Sequence, residues 1–346
     1  MTAAVTQDPD TPMPDPASAE AARIAARDRA VVCDLAPLRV LALAGADAAT
    51  FLHGQVSVDV TALAPGAFRL ASFNSPKGRM LANFVLWRVP APADGFRMLL
   101  PADIAEPVRK RLSMYVLRSK VTLLDASAET ARLGVGGPAA AAALRAALGT
   151  VPAPFTTVAA EAATLFGLPG ARYMVVAPPS SLEATRELLL RHASWASFEV
   201  WHWLTIRAGV PVVTAATQDA FVPQTANWDV LDGIDFQKGC YTGQEIIARS
   251  QYLGRLKERA FLFHADVSGV APGDRIYNAV FGEQACGTVV NAAPAPGGGC
   301  DLLAILQVAA AERGDSRLGA PDGPALAALP LPYAFPAAAE PRGRIR

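Results

Sequence analysis

The chain has 346 residues, with 31 Lys+Arg against 31 Asp+Glu, 52% hydrophobic residues, 28 Pro and 4 Cys. A length of this order divides into two or three packed units, and the balanced charge removes the long-range pull on nucleic acid that a strongly basic protein has. Spanning a bilayer takes about 20 consecutive apolar residues; residues 139–148 are interrupted by Arg145 and residues 302–311 stop at Glu312, so no membrane span is expected.

Residues 2–20 are mostly Ala, Pro, Asp and Thr without a basic start or an apolar core, so no secretory signal is expected and residues 1–27 are read as a disordered tail. Globular patterning begins near Arg29. Residues 31–32 and 40–43 read as short strands, and Gly45 turns into a helix carrying Phe51 and Leu52. Residues 70–73 and 80–89 read as a β-hairpin closed by Asn74-Ser75-Pro76-Lys77-Gly78. A strand at 96–100 precedes a helix over 104–115, where Ile104, Val108, Leu112 and Tyr115 recur at helical spacing, and residues 121–124 are again a strand. Residues 132–191 resemble a separate small α+β unit. A helical pattern resumes at 201–206 and ends at Gly209, ahead of Pro211. From 259 to 308, short strands alternate with Pro-Gly and Gly-Gly-Gly turns, the pattern of a small β-barrel.

The four cysteines (Cys33, Cys240, Cys286 and Cys300) lie far apart without a C-x-x-C pair, which speaks against a zinc ribbon or disulfide scaffold and fits a reducing cytoplasm. The histidines His53, His192, His202 and His264 show no i, i+4 pair, so no metal site is expected from this chain alone. Two basic groups, Arg109-Lys110-Arg111 with Arg118 and Lys120, and Arg249 with Arg255, Lys257 and Arg259, could receive a polyglutamate tail or a phosphate. A solvated helix face explains the first equally well. Aromatic residues do not interleave either group, which argues against direct tRNA binding.

One stretch stands apart: Lys238-Gly239-Cys240-Tyr241-Thr242-Gly243-Gln244-Glu245, followed by an apolar helical pattern. Glycines permit a tight turn and the close approach of a partner. A cysteine near a helix N-terminus with a lysine beside it favours the thiolate, and Glu245 in the first turn suits the helix dipole. The run is not a phosphate-binding loop, because Gln244 stands where Gly-Lys-Ser/Thr would be required. A buried cysteine serving only as a small packing group satisfies the same pattern.

The run from Lys238 to Glu245 resembles the signature of the YgfZ family of folate-binding, iron–sulfur-related proteins, relatives of the glycine-cleavage aminomethyltransferases. Supporting matches are Pro223-Gln224-Thr225-Ala226-Asn227, Phe51-Leu52-His53-Gly54-Gln55, Lys77-Gly78-Arg79, 117–121 and 331–333. The resemblance implies an α+β fold of three domains in a ring: a discontinuous folate-binding domain (28–130 plus 200–255), an inserted small α+β domain (131–199) and a C-terminal β-barrel (256–335). It implies tetrahydrofolate or another folate as ligand. Cys240 would be the functional thiol, and Trp201, Arg207, Gln224, Asn227, Lys238, Gly239, Tyr241, Gly243, Gln244 and Glu245 would line the folate site. It further implies support of iron–sulfur enzymes or their assembly proteins, including enzymes that modify tRNA.

Departures from that pattern carry information. Residues 77–88 contain no acid where aminomethyltransferases place a hairpin aspartate, so the proton-handling group for aminomethyl transfer is missing there. This favours an accessory factor over an aminomethyl or one-carbon transferase. Arg207 stands where relatives commonly carry Glu, and a guanidinium cannot accept from the pteridine's N–H donors; Leu38 stands at an aromatic position. Both give weight to a scaffold that has lost folate.

Overall fold

A computed structural model of the protein describes residues 16–90, 95–161, 163–252 and 256–336. It is a mixed α+β structure built on three sheets. The first has five antiparallel strands in the order Phe68–Asn74, Met80–Val89, Gly95–Pro101, Leu38–Ala44 and Thr122–Asp125. The hairpin legible in the sequence sets its register, with Leu70 opposite Val85 and Ser72 opposite Asn83. Alternation gives this sheet two buried faces. Ala71 and Phe73 pack with Ile104 and Val108 of the helix Ala102–Ser113, whereas Leu70 packs with Trp228, Tyr241 and Ile247.

The second sheet holds six strands in the order Ser194–Ala196, Val31–Asp34, Ala131–Gly136, Arg172–Ala177, Ala163–Leu168 and Thr157–Ala160. The strand Val31–Asp34 does not join the sheet of the residues that follow it. It lies antiparallel to Ala131–Gly136 and parallel to Ser194–Ala196. All four of its residues but Asp34 are fully buried, as a strand covered on both faces requires. The helices Ala140–Leu148 and Leu182–Leu190 cover one face through Leu144 and Leu189.

The third sheet is antiparallel, with order Arg317–Leu318, Arg275–Tyr277, Gly287–Pro294, Cys300–Gln307, Glu258–Ala265 and Ala327–Leu329, and it curls into a half-barrel. The helix Phe198–Arg207 joins all three sheets. Its Trp201, Trp203 and Leu204 share one core cluster with Val40 and Phe68 of the first sheet, Cys33 and Met174 of the second, and Leu262 and Leu303 of the third.

One expectation is corrected. Part of the segment read as a disordered tail is a helix, Pro16–Asp28. Composition hid it, because the helix is stabilised from outside: Ala22, Ala25 and Ala26 pack into the central cluster, Arg23 pairs with Glu199 at 3.2 Å, and Glu20 accepts from the Gly297 amide at 2.8 Å. Residues 1–15 lie outside the described residues. Among the described residues no helix is long and apolar enough to cross a membrane, and no cluster of His, Cys, Asp and Glu could hold a metal ion.

Candidate functional site

The signature folds as a loop that leads into the helix Gln244–Tyr252. Gly243 adopts φ +81°, and a Cβ there would stand 2.5 Å from the Ser75 carbonyl and 2.9 Å from Gly78 Cα. Only glycine lets the hairpin turn and the helix start meet so closely. The two motifs separated by some 160 positions in the sequence thus form one surface.

Within the loop the side chains divide by burial. Lys238 is buried and donates from Nζ to the carbonyls of His53 and Val56, the latter at 2.6 Å, which caps the short helix Ala48–His53. Burial pushes its pKa down to about 8, against the opposing pull of Asp59 and Asp235. Its ammonium stands 4.6 Å from the ring centroid of Tyr241, which is itself buried with its pKa raised by burial. Cys240 is exposed, while Cys33, Cys286 and Cys300 are buried. Gln244 contacts the Lys238 carbonyl at 3.4 Å, and Glu245 is exposed at the helix start.

Beneath this loop lies a layer of buried polar groups. On the first sheet, Ser72 and Asn74 share a face with Leu70, and both are fully buried. Gln224 is also fully buried and donates at 2.6 Å to the carbonyl of Ile247, which shares a core cluster with Leu70. Several atoms of this layer have no hydrogen-bond partner: Ser72 Oγ, both amide atoms of Asn74, Gln224 Oε1 and Trp228 Nε1. Gln55 Oε1 is also buried without a partner, and its position is set by the antiparallel bridge of Val56 with Phe73, which places Gln55 across from Asn74. An unpartnered buried polar atom costs about 1–3 kcal/mol. Several in one layer are groups that only a further polar partner, such as water or a ligand, would satisfy.

Other residues expected at the site lie elsewhere or do other work. Asn227, at φ +59°, donates to the Ala260 carbonyl at 2.8 Å and meets the Tyr333 hydroxyl at 3.1 Å, which joins this segment to the third sheet. Trp201 is 5% exposed, lies against Gly134 and has the Arg172 guanidinium 5.2 Å from its ring. A Cβ on Gly134 would stand 2.5 Å from that ring, so this face is closed by backbone. Arg207 turns toward the third sheet and pairs with Asp301 at 3.5 Å, and Asp301 also accepts from Trp203 Nε1 at 2.8 Å. Arg259 forms a buried ion pair with Asp229 at 2.6 Å, so it belongs to no surface patch. Arg109 pairs with Glu106 on a solvated helix face, and Arg255 lies outside the described residues.

Sequence reasoning did not find Ser72, Asn74 or Gln55, nor His53 with Asp59. The available signal was polar residues within the largely apolar hairpin: Ser72 and Asn74 on one strand and Asn83, which pairs with Ser72, on the other.

Comparison with known proteins gives the fold and the family. Residues 10–176 match the family model described as the GCVT N-terminal domain. The fold is similar to that of the glycine cleavage system aminomethyltransferase T from Bartonella henselae, with a TM-score of 0.68 at 17% identity over 85% of this chain and 82% of that one. The class is therefore the aminomethyltransferase-like fold. The chain is also 34% identical over 229 residues to the tRNA-modifying protein YgfZ of Shigella sonnei, covering 65% of this chain and 69% of that protein. The same values hold for the tRNA-modifying protein YgfZ of Escherichia coli strain K12. The chain belongs to the YgfZ family.

Proposed function

We propose that this chain binds a reduced folate in the polar layer beneath the 238–245 loop and serves as a cytoplasmic accessory factor for iron–sulfur enzymes, among them enzymes that modify tRNA, with Cys240 as its working thiol. The observation that carries the folate part is that the fully buried amides of Asn74 and Gln224 both keep atoms without a hydrogen-bond partner. The donor set fits a pteridine, whose edge combines amino and ring N–H donors with a carbonyl acceptor. Asn74 Oδ1 and Gln224 Oε1 would accept from the former, and Asn74 Nδ2 and Trp228 Nε1 would donate to the latter. The role given to Arg207 by the sequence pattern is then not needed, because these amides supply the missing acceptors.

Bound tetrahydrofolate supplies a carrier nitrogen for one-carbon units or reducing equivalents. The chain's own residues set the rest. Lys238 and Tyr241 brace the loop from below, and the exposed Cys240 is the one described thiol free to meet a client. Titration of the purified protein with tetrahydrofolate, followed by tryptophan fluorescence, should saturate; absence of saturable binding overturns the folate part. Cys240→Ala should fold normally yet lower the activity of [4Fe–4S] tRNA-modifying enzymes in cells. Full client activity in that variant overturns the thiol part.

A tetrahydrofolate-dependent transferase is the second reading. It is favoured by Asp219, whose carboxylate accepts from Ser75 Oγ at 2.6 Å and so brings an acid to the hairpin turn that itself has none. Turnover of a one-carbon donor above the uncatalysed rate, lost in Asp219→Asn, would select it.

A further inference from the structure

Near the exposed thiol, a second titratable pair belongs neither to the polar layer nor to the lysine cap. His53 ends the helix Ala48–His53, and its Nδ1 lies 3.0 Å from Asp59 Oδ1. Asp59 is fixed in turn: Oδ1 accepts from the Thr61 hydroxyl at 2.6 Å and from the Thr61 and Ala62 amides at 2.8 and 3.2 Å. The Thr61 hydroxyl above all, with these amides and His53, holds its carboxyl down at about 2, so it is ionised throughout the physiological range. An ionised carboxylate only accepts, which places the imidazole proton on Nδ1 and leaves a lone pair on Nε2.

That lone pair faces the signature loop. Gly239 is the residue against it: a Cβ built there would stand 3.3 Å from His53 Nε2. Cys240 is the next residue and is exposed. The Lys238 side chain ties this loop to the same helix end, because its Nζ donates to the His53 carbonyl itself. The imidazole and its anchored carboxylate in the 53–59 segment therefore lie against the residue that directly precedes the Cys240 thiol.

We infer that His53 is the proton acceptor for Cys240, and that Asp59 is the positioning residue that sets its tautomer. In the step, the S–H bond breaks and its proton passes to Nε2, while the Nδ1 proton remains on His53 and faces Asp59. The thiolate is then free to attack an electrophile. The charged groups beside His53 are the Asp59 carboxylate at Nδ1 and the Lys238 ammonium, which donates to the His53 carbonyl. Without a carboxylate behind it, the ring could donate from Nε2 instead and would no longer accept there.

This assignment rests on the thiol reading, and iodoacetamide tests it on the purified protein by a separate route. Alkylation forms the S–C bond and expels iodide. Cys33, Cys286 and Cys300 are buried, so intact-mass analysis with Cys240→Ser as blank reads one site. Near pH 7 the wild-type protein should react about tenfold faster than His53→Gln, which keeps a donor for Asp59 but cannot take the proton. Above about pH 10, where a free thiol ionises unaided, the two should converge. Asp59→Asn, which still accepts the Thr61 and Ala62 amides, should fall between them. Thermal melts of both variants within a few degrees of wild type confirm that the comparison is between folded proteins. Equal profiles for wild type and a folded His53→Gln overturn the assignment. If His53→Gln does not fold, the His53→Asn profile and the folded Asp59→Asn decide the matter by the same criterion. A flat profile alongside lost client activity in Cys240→Ala removes His53 only. Full client activity in Cys240→Ala removes the thiol role whatever the profile.

Discussion

The helix Phe198–Arg207 and the layer between the first sheet and residues 221–247 are both central and both buried, yet they treat polar groups in opposite ways. Around the helix each polar group named has a partner: Arg172 donates to Thr205 Oγ1 at 2.7 Å and to the Pro169 carbonyl at 3.1 Å, and Trp203 donates to Asp301. In the layer, Ser72, Asn74, Gln224 and Trp228 keep atoms without partners. Buried polar groups that stability alone selects are satisfied. On the proposed reading, the difference separates a region that holds three sheets together from one that receives the folate.

That contrast can be broken most forcefully at Trp201. If the helix region is sealed packing, Trp201→Ala leaves a cavity between Gly134 and Arg172 and should cost about 3–5 kcal/mol, read as a lowered urea midpoint. Tetrahydrofolate affinity of the remaining folded protein should be unchanged. A loss of binding with little loss of stability would instead return Trp201 to the ligand site.

Asn74→Leu sharpens the other half. The amide has no partner to lose, and leucine has nearly its shape, so stability should stay level or rise by about 1 kcal/mol. Tetrahydrofolate should bind at least about tenfold more weakly, because two hydrogen-bonding atoms are removed from the layer. A strongly destabilised variant would show that the amide is structural and would dissolve the contrast.

How much of this was open to a reader of the sequence follows from the range of each interaction. The hairpin 68–89, the helix carrying Ile104 and Val108, and the β-rich end were legible because local periodicity and turn residues write them. The loop of Lys238 and Cys240 was legible as a motif. The helix Pro16–Asp28 was not, since its order comes from Glu199, Gly297 and a core cluster built by distant residues. Nor was the inward turn of Lys238, whose partners His53 and Val56 lie more than 180 positions away. Arg207 was weighed against a pteridine, but its nearest charge is Asp301, on a strand nearly 100 positions further along the chain. Side-chain direction is a tertiary property, and spacing alone does not contain it.

The smallest effect tests how the sealed region is tied to the half-barrel. His264 faces Asp301 through Nδ1 at 2.9 Å and Asp266 through Nε2 at 3.1 Å, on the same carboxylate that holds Trp203 and Arg207. Burial pushes the His264 pKa down, but the hydrogen bonds and charges of the two aspartates outweigh it and leave it raised. A histidine whose folded value lies above its unfolded value stabilises fully below about pH 6.5, and the contribution fades as the pH climbs through the folded value. His264→Gln keeps a hydrogen-bonding side chain without the charge. The wild-type protein should therefore exceed it in stability at pH 5.5 by something under about 1 kcal/mol, the scale of a partly exposed ion pair, and by less at pH 8.5. A difference of melting temperature that stays constant over that range would mean the carboxylate holds Trp203 and Arg207 without help from an imidazolium. The tie between helix and half-barrel would then rest on packing and on those two donors alone.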